Sequence, residues 1–184
     1  MKSIILAGAS RSGKTTLARR MQKETGFSFI SADAVICTFE HIYPQLNIQH
    51  NLDFEGVSRT FEPFLIDYIE HLRLYQNIFY ILDIFHLMPE QIVKHGLNEK
   101  CKVAFMGYPR MDAQEKLKLI RTHKTEFDDW TDDETDADML ENIRHFIAWS
   151  QKLERDCAQY GLPFIDTGVD FIAGLNQAHN LVSN

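Results

Sequence analysis

Cysteine is scarce in this chain, and what there is does not pair. Cys37, Cys101 and Cys157 are an odd, scattered set without C-x-x-C spacing, so neither a disulfide framework nor a zinc site is indicated. Long hydrophobic runs are missing too. No stretch approaches the 18 or so consecutive apolar residues of a membrane helix, and the first residues carry no cleavage-site pattern, so the expectation is a cytoplasmic protein without a membrane partner. Positive charge is the third shortage, with 19 Lys and Arg against 26 Asp and Glu, a net charge of −7. A chain of that sign is poorly suited to phosphate backbones or anionic surfaces, and a small molecule is the expected partner instead of nucleic acid.

What is present begins at residue 8. Gly8, Ala9, Ser10, Arg11, Ser12, Gly13, Lys14 and Thr15 form a complete G-x-x-x-x-G-K-[ST] sequence, a loop whose backbone N–H groups cradle phosphates. Its flanks fit. Ser3 to Ala7 reads as a short buried strand, and Thr16-Leu17-Ala18-Arg19-Arg20-Met21 opens a helix directly after the loop. The glycines let the backbone curl so that successive N–H groups point inward, and the helix start adds its positive dipole end. Lys14 is expected to reach the β- and γ-phosphates, with the Thr15 hydroxyl on Mg²⁺ and Thr16 completing the nucleotide contacts.

The remaining pattern alternates strands and helices, which predicts a parallel sheet covered on both faces within one domain spanning residues 1–184. The first helix runs to about Thr25, where Gly26 stops it. Phe27-Ser28-Phe29-Ile30 is the second strand, with Asp33 just past its carboxyl end, the edge at which such sheets collect ligands. Glu40 to Glu55 reads as an irregular connection. Helical periodicity returns from Val57 to Tyr75, with Pro63 expected to kink the helix or start a new segment. Ile78 to Asp83 is a buried strand tipped by a carboxylate, and Lys102–Gly107 and Leu162–Asp166 are the fourth and fifth strands.

Between the last two strands charge separates sharply. Arg110, Lys116, Lys118, Arg121 and Lys124 stand against only Asp112 and Glu115, and a run from Asp128 to Asp138 then carries seven acids. A lid is expected at about 109–135. The acidic run reads as a solvated connection, with Thr135 and Asp138 also able to cap the next helix, whose core face is Met139, Ile143, Phe146, Ile147, Leu153, Cys157 and Tyr160.

This pattern resembles the small P-loop kinases grouped with nucleoside monophosphate kinases, shikimate kinase and gluconate kinase. The likeness covers most of the chain. It is strongest at Gly8 to Thr15 and continues through Phe29-Ile30-Ser31-Ala32-Asp33, similar to the segment that places an acid near substrate and Mg²⁺ in that group. The resemblance implies an α/β three-layer sandwich with a five-stranded parallel sheet of order 2-3-1-4-5, ATP-Mg²⁺ as donor and a closing lid carrying arginines. It names no acceptor.

The candidate residues then sort by chemistry. Asp33 is read as the base for an acceptor hydroxyl, as a holder of Mg²⁺ through water, or as a helix N-cap, and these readings are compatible. Asp83 is read as a Mg²⁺ ligand against a plain strand-end turn acid. Arg110, Arg121 and Lys124 are candidates to surround the transferring phosphoryl group, against ordinary surface charge. His86 reads as a buried structural imidazole in preference to a base. Asp166-Thr167-Gly168-Val169-Asp170 is similar to the loop that lies against adenine in these kinases. Two function classes remain: a kinase moving the γ-phosphoryl of ATP to a small acceptor, and a nucleotide-dependent ATPase or switch. A GTPase would need an N-K-x-D motif, which is absent, and a motor-type ATPase would pair a second acid with Asp83, where Ile84 stands instead.

Overall fold

Three of the apolar runs are buried on both faces, as the central strands of a parallel sheet must be. Every residue of β1 (Ser3–Gly8) and of β3 (Tyr80–Ile84) is buried, and only Lys102 within β4 (Cys101–Gly107) is not. The two flanking strands, β2 (Ser28–Ser31) and β5 (Phe164–Asp166), are more open. The structure, a computed structural model, describes residues 1–76, 78–123 and 130–183.

All four strand pairings are parallel, and the order is β2-β3-β1-β4-β5. That is the order implied by the resemblance. Register decides what meets at the carboxyl edge: Leu6 and Ser31 both lie opposite Asp83, while Gly8 lies opposite Met106. The phosphate loop therefore leaves the sheet beside the tip of β3.

Side chains alternate across the sheet with a period of two. Ile5, Ala7, Leu82, Ile84, Val103 and Phe105 join one buried cluster; Ile4, Leu6, Ile81, Ala104 and Met106 join the other. The second cluster is covered by α1 (Lys14–Thr25), through Leu17, Ala18 and Met21, and by α8 (Phe171–Ser183), through Leu175, Ala178 and Val182. The first is covered by α2 (Ala32–Ile42), α3 (Phe54–Gln76) and α7 (Asp136–Tyr160). Two short helices, α4 (Pro89–Lys94) and α5 (Leu97–Lys100), complete the crossover from β3 to β4. Truncating any of the central Ile or Leu residues to Ala removes burial on a face with no room to relax, a loss of about 2–5 kcal/mol.

Three expectations need correction. The segment read as irregular from Glu40 is helical at its start, because α2 runs to Ile42 and is followed by a 3-10 turn at Pro44–Leu46. The Ser31 hydroxyl caps α2 by accepting from the Ala34 N–H, so the N-cap is Ser31 and Asp33 sits inside the first turn. Pro63 does not divide the following helix. α3 continues through it, held on both sides by Val57, Phe61, Leu65 and Ile69 in the same core cluster, and this packing outweighs the hydrogen bond that proline cannot donate.

Beyond β4, Asp112 caps α6 (Ala113–Thr122) by accepting from the Gln114 and Glu115 N–H groups. A 3-10 turn at Trp130–Asp132 leads to α7, whose N-cap is Thr135, accepting from the Asp138 N–H as its sequence indicates. On α7 Trp149 and Ser150 are buried, whereas Ile147 and Tyr160 are only half-buried. Lys124, Asp128 and Asp129 lie outside the described residues.

Candidate active site

Gly8 has φ of 131°, and a Cβ there would lie 1.9 Å from the Met106 carbonyl oxygen. Only glycine fits. The loop is pinned to β4 at this point, since the Ala9 N–H donates to the same carbonyl at 2.9 Å. Arg11 adopts a left-handed conformation at φ 60°, and Gly13 does so at φ 97°, so the backbone reverses twice before α1 begins. The Ser12 hydroxyl is buried with no protein partner among the described residues. An N–H-rich turn, an orphaned hydroxyl and a helix N-terminus suit an anion with several oxygens.

Lys14 is almost fully buried, donates from Nζ to the Ala9 carbonyl at 2.8 Å, and stands 4.0 Å from Asp83 Oδ1. The Thr15 hydroxyl donates to Asp83 Oδ2 at 2.5 Å. A hydroxyl oxygen and a carboxylate at one point form the donor set preferred by a hard cation such as Mg²⁺. Thr16 is exposed on the first turn of α1.

On the other side of Asp83 is a second polar group. Asp33 accepts from the Phe85 backbone N–H, but its Oδ1 is buried without a partner. Burial pushes the Asp33 carboxyl above its ordinary value; nearby Lys14 and His50 oppose that shift and Asp83 adds to it. His86 is only 3% exposed, its Nδ1 has no partner, and burial, with help from His50 and Lys14, lowers it to about 3. It is a neutral imidazole at ordinary pH. The His50 ring meets the His86 ring edge-on with centroids 5.6 Å apart.

The segment after β4 reaches the loop by different residues from those expected. Tyr108 donates its hydroxyl to the Ser10 carbonyl at 2.7 Å, and Lys116 donates from Nζ to the Arg11 carbonyl at 2.8 Å while lying 4.0 Å over the Tyr108 ring. Burial, and then the Arg11 charge, lower Lys116 to about 8. Arg110 instead forks onto Glu154 and Asp166, at 2.9 and 2.8 Å. Arg121 binds Asp136 at 3.0 Å and donates to the carbonyls of Thr131 and Glu134, so its guanidinium braces the turn before α7. Neither arginine has a described contact to the phosphate loop. A signal for Lys116 was available, because it lies beside Leu117 and four residues before Ile120 on the buried face of α6. His50 had none, being a lone histidine in an irregular stretch.

The loop after β5 is held to β4 by the Thr167 N–H, which donates to the Gly107 carbonyl at 2.8 Å, and Asp170 caps α8 by accepting from the Ala173 N–H. Phe171 and Leu175 close over Gly13, where a Cβ would approach each to 2.9 Å. Val169, beside them, is 81% exposed.

Among the described residues, no helix is long and apolar enough to cross a membrane. The sequence matches no family model and no curated protein. Solved structures do match. The gluconokinase from Sinorhizobium meliloti 1021 aligns with a TM-score of 0.59 at 16% identity, over 99% of this chain and 91% of that one. A shikimate kinase from Bacteroides thetaiotaomicron gives 0.59 at 15% identity, over 100% and 99%. A sugar kinase from Janibacter sp. HTCC2649 gives 0.57 at 18% identity, over 100% and 95%. At such identities the likeness is one of fold, and the fold of this chain, from its five-stranded 2-3-1-4-5 sheet to its phosphate loop, is that of the small P-loop kinases.

Proposed function

We propose that the protein is a P-loop kinase that transfers the γ-phosphoryl group of ATP to a small-molecule acceptor. The observation that carries this reading is the meeting of Lys14, Thr15 and Asp83 at the mouth of the Gly8–Gly13 loop, with a partly unsatisfied Asp33 carboxylate close by. One side suits the donor and the other an acceptor hydroxyl.

In this reading the backbone from Gly8 to Gly13, with the first turn at Thr16, holds the β- and γ-phosphates, and Lys14 turns from the Ala9 carbonyl to the γ-phosphate. Thr15 and Asp83 hold Mg²⁺, which supplies charge neutralisation on the phosphate oxygens. Asp33 accepts a hydrogen bond from the acceptor hydroxyl and orients its oxygen in line. The oxygen–phosphorus bond forms as the bond from the γ-phosphorus to the bridging oxygen of ADP breaks, and the hydroxyl proton passes to Asp33. The segment 109–135 acts as a lid, with Lys116 as a cation that reaches the loop. Arg110 and Arg121 join the phosphoryl group only on exchanging the carboxylate and carbonyl partners they hold.

ADP release with ATP and Mg²⁺, alone and across a panel of sugars, sugar acids, nucleosides and phosphorylated metabolites, tests the reading. Stimulation by orders of magnitude with one compound class supports a kinase. Tight ATP binding with slow turnover that no compound alters supports an ATPase or switch instead.

A further inference from the structure

Beside the donor site, Asp33 stands in a cluster with two histidines that the proposed phosphoryl transfer does not use. Asp33, His50 and His86 each offer one ligand atom, and these atoms all lie within 4.8 Å of one another. They come from three separate places: the first turn of α2, the connection between α2 and α3, and the loop after β3. Two of their atoms are unpartnered: Asp33 Oδ1 and His86 Nδ1 are both buried without a donor or acceptor among the described residues. A buried polar atom left unsatisfied keeps its full desolvation cost, and here two are left on residues of one small cluster.

A supporting group completes the picture. Glu40 Oε2 accepts from His50 Nδ1 at 3.1 Å and also from the His50 N–H at 3.3 Å. A carboxylate behind an imidazole fixes its tautomer and raises its basicity, as it does for metal-ligating histidines. His86 is held in turn against Phe85 and Phe54, with centroids 4.7 and 6.3 Å from its own. An apolar wall of this kind leaves the imidazole few options except a ligand.

We propose that Asp33, His50 and His86 bind a divalent transition-metal ion, distinct from the Mg²⁺ of the nucleotide. Two imidazoles and one carboxylate select ions of the Zn²⁺, Co²⁺ or Fe²⁺ class, since Mg²⁺ prefers an all-oxygen set. Ligand bonds of about 2.0–2.2 Å are within the reach of small torsional adjustments from separations of no more than 4.8 Å. Three protein ligands leave at least one position open, available to an acceptor oxygen. That last consequence, an ion presenting the acceptor oxygen, rests on the kinase reading; the ion site itself does not.

The test uses Co²⁺ as the probe, added to chelator-treated full-length protein without nucleotide and followed by visible absorption. One equivalent per chain should produce ligand-field bands. His50→Ala, at an exposed position outside the core, and Asp33→Asn should each weaken binding by more than the roughly 10- to 100-fold that follows loss of a merely supporting group. Glu40→Gln should weaken it within that range. His86→Ala removes a buried ring, so its unfolding midpoint is measured alongside. Absence of the bands, or bands that persist in His50→Ala and Asp33→Asn but vanish in Asp83→Asn, would overturn the proposal and leave a bridging water as the occupant. ADP formation is scored separately, so a protein that binds Co²⁺ but transfers no phosphoryl group contradicts only the kinase reading.

Discussion

The Thr15 hydroxyl and Asp83 Oδ2 meet at 2.5 Å, joining the first turn after the phosphate loop to the tip of β3. Strand register makes this contact, because Leu6 pairs with Asp83 and Gly8 turns away only two residues later. Asp83→Asn keeps the shape and removes the charge a Mg²⁺ ion needs. The expected result is a fall in kcat of at least about 100-fold with ATP binding in the absence of Mg²⁺ little changed. Equal losses in both would make Asp83 a structural acceptor for Thr15 alone.

Lys116 and Arg121 are predicted to separate in the opposite way from their appearance in sequence. Arg121→Ala removes a brace on the Thr131 and Glu134 carbonyls and should lower stability by about 1–3 kcal/mol, with a drop in Tm of roughly 3–10 °C. Lys116→Met keeps the stem over Tyr108 but removes the amine from the Arg11 carbonyl, and should reduce kcat more than Arg121→Ala does. Thermal melts and initial rates on the two variants decide this. A larger rate loss in Arg121→Ala would restore it to the transferring phosphoryl group.

Glycine at position 8 is required by contact as well as conformation. Gly8→Ala puts a methyl group into the Met106 carbonyl, and should destabilise the protein by at least about 3 kcal/mol or abolish nucleotide binding. Gly26 gives the control, since its φ is 73° with nothing within 4 Å of a Cβ. Gly26→Ala should cost about 1–2 kcal/mol, the strain of a left-handed residue alone. Comparable denaturation midpoints for the two variants would remove the steric argument.

The strands and the phosphate loop were legible in sequence because their determinants are local. A buried parallel strand is a short apolar run, and Gly8 to Thr15 carries its own chemistry. The sheet order came from resemblance, since no local pattern states which strands are neighbours. What escaped reading depends on distant partners. The helical start of Glu40 to Glu55 is stabilised by Phe39 against Phe61 and Phe64, and Pro63 is tolerated because residues on both sides of it share one core. Arg110 and Arg121 were readable as cations but not as cations already paired, because Glu154, Asp166 and Asp136 are brought to them only by the fold.

Acid stability should report on Glu62. Burial alone would raise this carboxyl, but hydrogen bonds from Lys94, His95 and Gln91 outweigh it and hold the group at about 2 against an ordinary 4.5. A carboxyl depressed in the folded state contributes stability above its unfolded value, and loses it as pH falls through the folded one. The contribution, roughly 2–3 kcal/mol, should therefore be complete above about pH 5 and disappear toward pH 2. Glu62→Gln should lower Tm by roughly 5–10 °C at pH 7 and by much less near pH 2–3. A constant difference across that range would mean that Glu62 acts through packing.

The fate of the γ-phosphoryl group tests the central claim most directly. Protein, Mg²⁺ and ATP labelled at the γ-phosphorus are incubated with the acceptor panel, and the label is traced, with Lys14→Ala run in parallel. The predicted result is label in an organic phosphate with one acceptor class, in wild type and not in Lys14→Ala. Label found only in inorganic phosphate, whatever acceptor is present, would contradict phosphoryl transfer and leave a hydrolase or switch.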